Sequence, residues 1–357
     1  MSVVDSAGEI RSGEELDVQA IDTYLKDRVP DLEGDVSISQ FPGGASNLTY
    51  LLTYSNREFV LRRPPFGHKA KSAHDMGREF RVMQGLQDVY PYVPKMIAFC
   101  DDDAVIGSEF YVMERLRGVI LRADFPKDLQ LSENDCSQLC YSMVDRLVDL
   151  HQIDWEQTSL KELARPGDYV ERQISGWCDR FLKSHTDDAP DYAEVMAWLK
   201  AHQPAQIRQC LVHNDYRFDN LVLDPENPMN IIGVLDWEMA TIGDPLMDLG
   251  NSLAYWIQKD DPQPLHLLRR QPTHRPGMLT RRQVVDYYLE KSGLNIDSFD
   301  FYEVYGIFRL VVIIQQIYYR YFHGQTQDKR FAGFIQVVKY LEGYLRDKIS
   351  ASSLSQA

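Results

Sequence analysis

The chain has 357 residues, 44% of them hydrophobic and 25% charged, which excludes a disordered or fibrous polypeptide and suits one large or two modest domains. With 38 Lys plus Arg against 53 Asp plus Glu the net charge is −15, so neither nucleic acid nor an anionic membrane is expected as a partner, since both need a basic surface. The most apolar run, 307–317, is broken by Arg309, Gln315 and Gln316 and falls short of the roughly 20 residues that span a bilayer.

Residues 1–14 are small, polar and charged, without a basic start and apolar block, and read as a flexible tail with no secretory signal. Leu16, Ile21 and Leu25 recur at helical spacing over 15–28, and Pro30 ends that helix. Strands are expected at 36–41, 48–54 and 59–62, joined by Pro42-Gly43-Gly44 and Ser55-Asn56, both turn chemistry. A helix follows over 72–86, with Met76, Phe80, Met83 and Leu86 on one face, then strands at 96–100 and 109–116. Residues 15–117 therefore read as an antiparallel sheet with a packed helix.

Past Gly118 the pattern turns helical. Ser132 and Asp135 have the spacing of a capping box and open a helix running through Leu139, Met143, Leu147 and Leu150. Further helices are expected at 169–183, 192–201, 245–256, 281–291 and 301–321, with one β-rich island at 210–239. The fold class is α+β: a sheet lobe over 15–117, a mainly helical lobe with a small β insert over 118–347, and a second flexible tail at 348–357. Cys100, Cys136, Cys140, Cys178 and Cys210 are odd in number and dispersed, so they read as unpaired thiols of a cytoplasmic protein rather than a disulfide or metal framework.

The island carries the chemistry. It reads Leu211-Val212-His213-Asn214-Asp215-Tyr216-Arg217-Phe218-Asp219-Asn220-Leu221-Val222-Leu223, then Ile231-Ile232-Gly233-Val234-Leu235-Asp236-Trp237-Glu238. Two apolar runs flank a polar loop, and a later apolar run ends on an acid, so Asp215, Asn220 and Asp236 can meet at one sheet edge. H-x-D-x-x-x-x-N followed by strand and Asp is the arrangement of phosphoryl-transfer chemistry. There, two oxygen ligands hold Mg²⁺ while a separate carboxylate orients the attacking hydroxyl. In the sheet lobe, Gly43, Gly44, Ser46 and Asn47 sit between the first two strands, where a phosphate-covering loop belongs. Arg62 ends the third strand, and Glu79 on the next helix is its natural partner.

The chain resembles the aminoglycoside phosphotransferase and choline kinase branch of protein-kinase-like enzymes, and within it the kinase domains associated with acyl-CoA dehydrogenases. The resemblance rests on Gly43-Gly44-Ala45-Ser46-Asn47-Leu48-Thr49-Tyr50, Phe59-Val60-Leu61-Arg62-Arg63-Pro64-Pro65, Arg78-Glu79-Phe80 and Phe110-Tyr111-Val112-Met113-Glu114. It also rests on the 213–220 loop, Leu235-Asp236-Trp237-Glu238 and Gly243-Asp244-Pro245-Leu246-Met247-Asp248-Leu249. It implies a two-lobed protein-kinase-like fold that uses ATP and Mg²⁺. By the same resemblance Asp215 is the catalytic base, and Asn220 and Asp236 are the Mg²⁺ ligands. Arg217 matches the position of a cation near the γ-phosphate, and Glu114 and Leu116 bound a hinge whose backbone meets adenine. Asp248 resembles an acid that ties down the catalytic loop. Arg62 stands where kinases generally carry Lys, a change the acyl-CoA-associated relatives tend to share.

The resemblance fixes the reaction more closely than the acceptor. It implies a small hydroxylated molecule, either a hydroxy acid or a hydroxyacyl-CoA thioester. The alternatives are an aminoglycoside or amino-alcohol kinase, and a nucleotide-binding pseudokinase without turnover. From 262 to 285 the chain holds Arg269, Arg270, Arg275, Arg281 and Arg282 with His266 and His274 and no acid. That run suits either a CoA phosphate or carboxylate, or a loop solvated by its own charge.

Overall fold

The computed structural model describes residues 4–42, 47–66 and 75–356. Its small lobe comprises helix α1 (Val18–Lys26), strands β1 (Ser37–Gln40), β2 (Leu48–Thr53) and β3 (Glu58–Arg63), helix α2 (Met76–Leu86), strand β4 (Met96–Cys100), the single turn α3 (Asp103–Ile106) and strand β5 (Phe110–Glu114). The five strands form one antiparallel sheet in the order β1-β2-β3-β5-β4. Side chains alternate between its faces. Phe59, Leu61, Phe110 and Val112 join Ile21, Tyr24 and Leu25 of α1 in one core. Val60, Tyr111 and Met113 point the other way, against Met76, Val82, Met83 and Leu86 of α2, and merge with the core of the large lobe. Arg62 lies two residues after Val60 and so shares the face that meets the large lobe.

The large lobe contains helices α4 (Glu133–His151), α5 (Tyr169–Lys183) and α6 (Ala193–Ala201), the island strands β6 (Cys210–Val212), β7 (Leu221–Leu223), β8 (Ile231–Val234) and β9 (Thr241–Gly243), then helices α7 (Pro245–Leu253), α8 (Gln263–His266), α9 (Arg281–Ser292), α10 (Asp300–Phe322) and α11 (Phe334–Ala351). Strand β6 pairs with β9 and β7 with β8, giving two small antiparallel ribbons. The capping box at Ser132 forms as expected: Asp135 N–H donates to Ser132 Oγ at 3.2 Å, and Ser132 N–H to the Asp135 carboxylate at 2.9 Å. All five cysteines are buried free thiols, and burial pushes that of Cys140 up to about 12. Among the described residues no helix is long and apolar enough to cross a membrane.

Three expectations need correction. Helix α11 was not anticipated, although Ile335, Val338, Leu341, Leu345 and Ile349 are buried at the 3–4 spacing of an amphipathic helix. The second tail is docked rather than free, because the Ser352 and Ser353 hydroxyls donate to the Asp300 carboxylate at 2.8 and 3.3 Å. The 1–14 segment is also tied down where it is described: Gly8 pairs with Gln40 of β1, and Asp5 N–H donates to the Gly118 carbonyl at 3.0 Å. Backbone pairing to an open sheet edge holds it with no apolar pattern at all.

Candidate active site

The loop 213–220 connects β6 to β7 and is held from below by one buried carboxylate. Asp248, in the first turn of α7, accepts the N–H groups of His213 and Asn214, both at 2.7 Å, and the Nε2–H of His151 at 3.1 Å. Burial alone would raise the Asp248 carboxyl, but these donors hold it below its ordinary range. Asp215 N–H donates to His213 Nδ1 at 3.1 Å, so the ring proton is on Nε2, which donates to the Leu235 carbonyl at 3.0 Å. The imidazole thereby joins the loop to the end of the β8 run, one residue before Asp236. Asn214 adopts the left-handed conformation at φ 65°, its carbonyl accepting from Arg309 Nη2 at 2.8 Å.

Above this base the polar side chains converge. Arg217 Nη1 donates to Asp215 Oδ1 at 2.6 Å, and its Nε and Nη2 donate to the two carboxylate oxygens of Asp219 at 2.8 and 3.2 Å. Asn220 Nδ2 donates to the Asp215 carbonyl at 2.8 Å and to Asp215 Oδ2 at 3.0 Å, which leaves Oδ1 as the amide's oxygen donor. Asp236 is also left-handed, at φ 68°, which Asp and Asn tolerate better than other non-glycine residues. Arg62 crosses between the lobes, its Nη1 on Glu79 Oε1 at 2.6 Å and its Nη2 on Asp236 Oδ1 at 3.1 Å. From α2, Arg78 clamps the next turn by donating to the carbonyls of Glu238, at 2.7 Å, and Ala240.

Asn47, Arg62, Glu114, Leu116, Asp215, Arg217, Asn220 and Asp236 all line one cleft of about 480 Å³ between the lobes. Glu79 stands behind Arg62, fully buried. Gly43, Gly44 and Ser46 lie outside the described residues. Sequence reading missed the apolar walls Val60, Met113, Val222 and Leu235, for which the strand alternation around Arg62 was the available signal. It also gave no role to Tyr255 and Glu238, which line the same cleft, as does Arg270 from the basic run. Gly233 leaves room for Leu116, since a Cβ there would sit 2.2 Å from Leu116 Cδ1.

The basic run divides. Arg281 is taken up by Asp261 at 2.6 Å, Arg282 sits beside Asp286 at 3.5 Å, and Arg269 lies 3.6 Å from Asp124. Arg275 faces the Phe125 ring. Arg270 alone of the run lines the cleft, and it makes no hydrogen bond or ion pair to the described residues. It is presented rigidly: the next side chain, Gln271, is fully buried, accepts Phe218 N–H at 2.9 Å and donates to the Tyr255 carbonyl at 3.2 Å.

Among the described residues no group of three or more His, Cys, Asp or Glu side chains forms a ready-made metal cage. The Asn220 Oδ1 and the Asp236 carboxylate are hard oxygen donors of the kind that suit Mg²⁺, which keeps waters and borrows phosphate oxygens instead of needing a full protein cage. Glu238 adds a second carboxyl beside that of Asp236. Burial and the nearby Asp236 and Glu79 charges push it up to about 7, and Asn47 Nδ2 donates to its Oε2 at 3.3 Å. Its native value lies above the ordinary 4.5, so the folded protein binds the extra proton and stability falls as pH rises from about 4.5 to about 7. Glu238→Gln is expected to stabilise the ligand-free protein by on the order of 3 kcal/mol above pH 7. That gain should vanish near pH 4.5, as urea unfolding across this range would measure; a gain independent of pH would refute it.

Residues 37–283 match the family model described as "Phosphotransferase enzyme family". The chain belongs to that family. Among curated relatives, the chain is 34% identical over 312 residues to mouse acyl-CoA dehydrogenase family member 10, covering 87% of its own length and 29% of that protein's. It spans less than half the length of the curated relatives it matches. A solved Ralstonia eutropha structure, provisionally named an aminoglycoside phosphotransferase, superposes with TM-score 0.80 at 27% identity over 94% of this chain and 99% of that one. Choline kinase from Cryptosporidium parvum shares the fold with TM-score 0.62 at 14% identity, over 95% and 98% of the two chains. The two-lobed kinase-like fold read from the sequence is thus the fold of this chain.

Proposed function

We propose that this phosphotransferase moves the γ-phosphate of ATP to the hydroxyl of a small anionic acceptor, a hydroxy acid or its CoA thioester. The observation that carries this reading is the meeting of Asp215, Asn220 and Asp236 in one interlobe cleft, with Arg62 and Arg217 beside them. Asp215 takes the proton of the attacking hydroxyl, and Asn220 and Asp236 hold Mg²⁺. When bound, that ion supplies charge neutralisation at the β- and γ-phosphates. Val60, Met113, Val222 and Leu235 give adenine two apolar walls, with the backbone at Glu114 and Leu116 along its edge. Arg62, held by Glu79, reaches the phosphate end. Arg217 reaches the γ-phosphate from its present seat on Asp215. Five buried thiols without disulfides support a reducing compartment, the cytoplasm.

The acceptor side favours an anion over a polycation. Asp215 and Asp219 are both paired with Arg217, while Arg270 is exposed and unpaired toward the described residues. An aminoglycoside would meet a guanidinium there instead of free carboxylates. The test is an ADP-release screen across 4-hydroxyacyl-CoAs, free hydroxy acids, aminoglycosides and amino alcohols. Turnover is expected with an anionic acceptor, and Arg270→Ala should raise its KM by about tenfold while leaving the KM for ATP unchanged. Selective turnover of aminoglycosides would overturn the acceptor assignment. ATP binding with no turnover of any acceptor would favour the pseudokinase.

A further inference from the structure

The segment before α1 was expected to be a free tail, yet it links the β1 edge of the sheet to the hinge. At the small lobe it adds to the β1 edge: Gly8 N–H donates to the Gln40 carbonyl at 2.8 Å and Gln40 N–H returns to Gly8 at 3.0 Å. The buried Gln40 side chain then binds Arg11 N–H at 2.8 Å and Glu14 Oε2 at 2.6 Å. At the other end Asp5 is held three ways. Its N–H donates to Gly118 at 3.0 Å, its carbonyl accepts from Arg115 Nη2 at 3.1 Å, and its Oδ1 accepts from Arg122 Nη2 at 3.0 Å. These contacts set Asp5 in the wall of the interlobe cleft, beside the hinge and among Arg115, Leu116 and Ile120.

Asp5 Oδ2 makes no hydrogen bond to the described residues, and the side chain keeps 26% of its surface exposed. A carboxylate placed against the triphosphate would repel it, but Asp5 is bonded to Arg115, Gly118 and Arg122, beside the hinge. Between an adenine at the hinge and phosphates at Asp236 lies the sugar, whose two vicinal hydroxyls are donors suited to one carboxylate. Arg122 offsets the charge on one carboxylate oxygen, and the other can accept charge-assisted hydrogen bonds.

Resting on the ATP reading above, we propose that residues 5–14 form a strap that completes the nucleotide site, with the Asp5 carboxylate reading the ribose hydroxyls. The strap thus contributes a specificity residue from outside the sheet and the catalytic loop.

Calorimetric titration of the whole chain with the Mg²⁺ complexes of ATP, 2′-deoxy-ATP and 3′-deoxy-ATP tests this without any acceptor. The wild type is expected to bind at least one deoxy form about tenfold more weakly than ATP, and Asp5→Ala to lose both that preference and about tenfold in ATP affinity. Arg122→Ala, which releases the carboxylate from its seat, should narrow the same preference, and it serves if Asp5→Ala does not fold. Equal weakening of all three nucleotides, or an unchanged preference in Asp5→Ala, would reduce the strap to a structural tie and overturn the proposal. A wild type that binds no adenine nucleotide would overturn the kinase reading together with it.

Discussion

Asp215→Ala is expected to lower phosphoryl transfer by about a thousandfold while nucleotide affinity stays close to that of the wild type. The loss should fall on kcat because Arg62, Asp236 and the hinge do not use the Asp215 side chain, while Arg217 and Asn220, which do bond it, each keep a second partner in Asp219 and the Asp215 carbonyl. Nor does the loop depend on that side chain for its shape. Asp248 holds the backbone of His213 and Asn214, and Arg309 holds the Asn214 carbonyl. Asn220 keeps the Asp215 carbonyl as an acceptor, and Arg217 keeps both oxygens of Asp219. The variant should therefore unfold at nearly the wild-type temperature, which separates lost chemistry from lost structure. Initial rates at saturating ATP and acceptor measure the effect, and near-normal turnover would remove Asp215 from the role of base.

Asp236→Asn is expected to abolish the Mg²⁺ dependence of ATP binding, weakening affinity by more than about a hundredfold at saturating metal. Asparagine is the informative replacement. Residue 236 sits at φ 68°, where alanine would add backbone strain, whereas Asn accepts the left-handed conformation nearly as well as Asp. The substitution keeps an oxygen for Arg62, which also retains its 2.6 Å bond to the fully buried Glu79. What disappears is the negative charge beside Asn220, the part of the donor set that a divalent cation needs most. Titrations with ATP in Mg²⁺ and in chelator should then coincide for the variant and differ for the wild type. Retention of a large metal effect would place the ion elsewhere.

The two variants probe the same cleft, and the contrast between them matters more than either alone. A loss of kcat at 215 with a loss of binding at 236 is the pattern of a base and a metal ligand. Losses of both kinds at both positions would point to a single structural unit. The Arg62 bridge makes that outcome a real alternative, since it joins β3, α2 and the Asp236 turn through one guanidinium. Removing one partner of such a buried pair leaves the others uncompensated.

Much of the site could be read along the chain because its chemistry is local. Asp215, Arg217 and Asn220 fall within eight residues of His213, and Asp236 follows two apolar strands later, so spacing alone constrains where their side chains meet. The capping box at Ser132 and the alternating strands around Arg62 are likewise short-range consequences of backbone geometry. Helix α11 carries an equally local signal, with buried positions at 335, 338, 341, 345 and 349.

Other features had no such signature. Asp5 reaches the cleft through bonds to Gly118 and Arg122, more than a hundred positions away, and the strap carries neither apolar period nor motif. Of five clustered arginines only Arg270 turns to the cleft, because its neighbours find Asp124, Asp261, Asp286 and Phe125 at sites the linear order does not reveal. The proton affinity of Glu238 depends on burial and on charges from α2 and the Asp236 turn. Hydrogen-bond spacing is written in the order of residues, but desolvation and ion pairing depend on distance through space, and that exists only once the lobes have closed on each other.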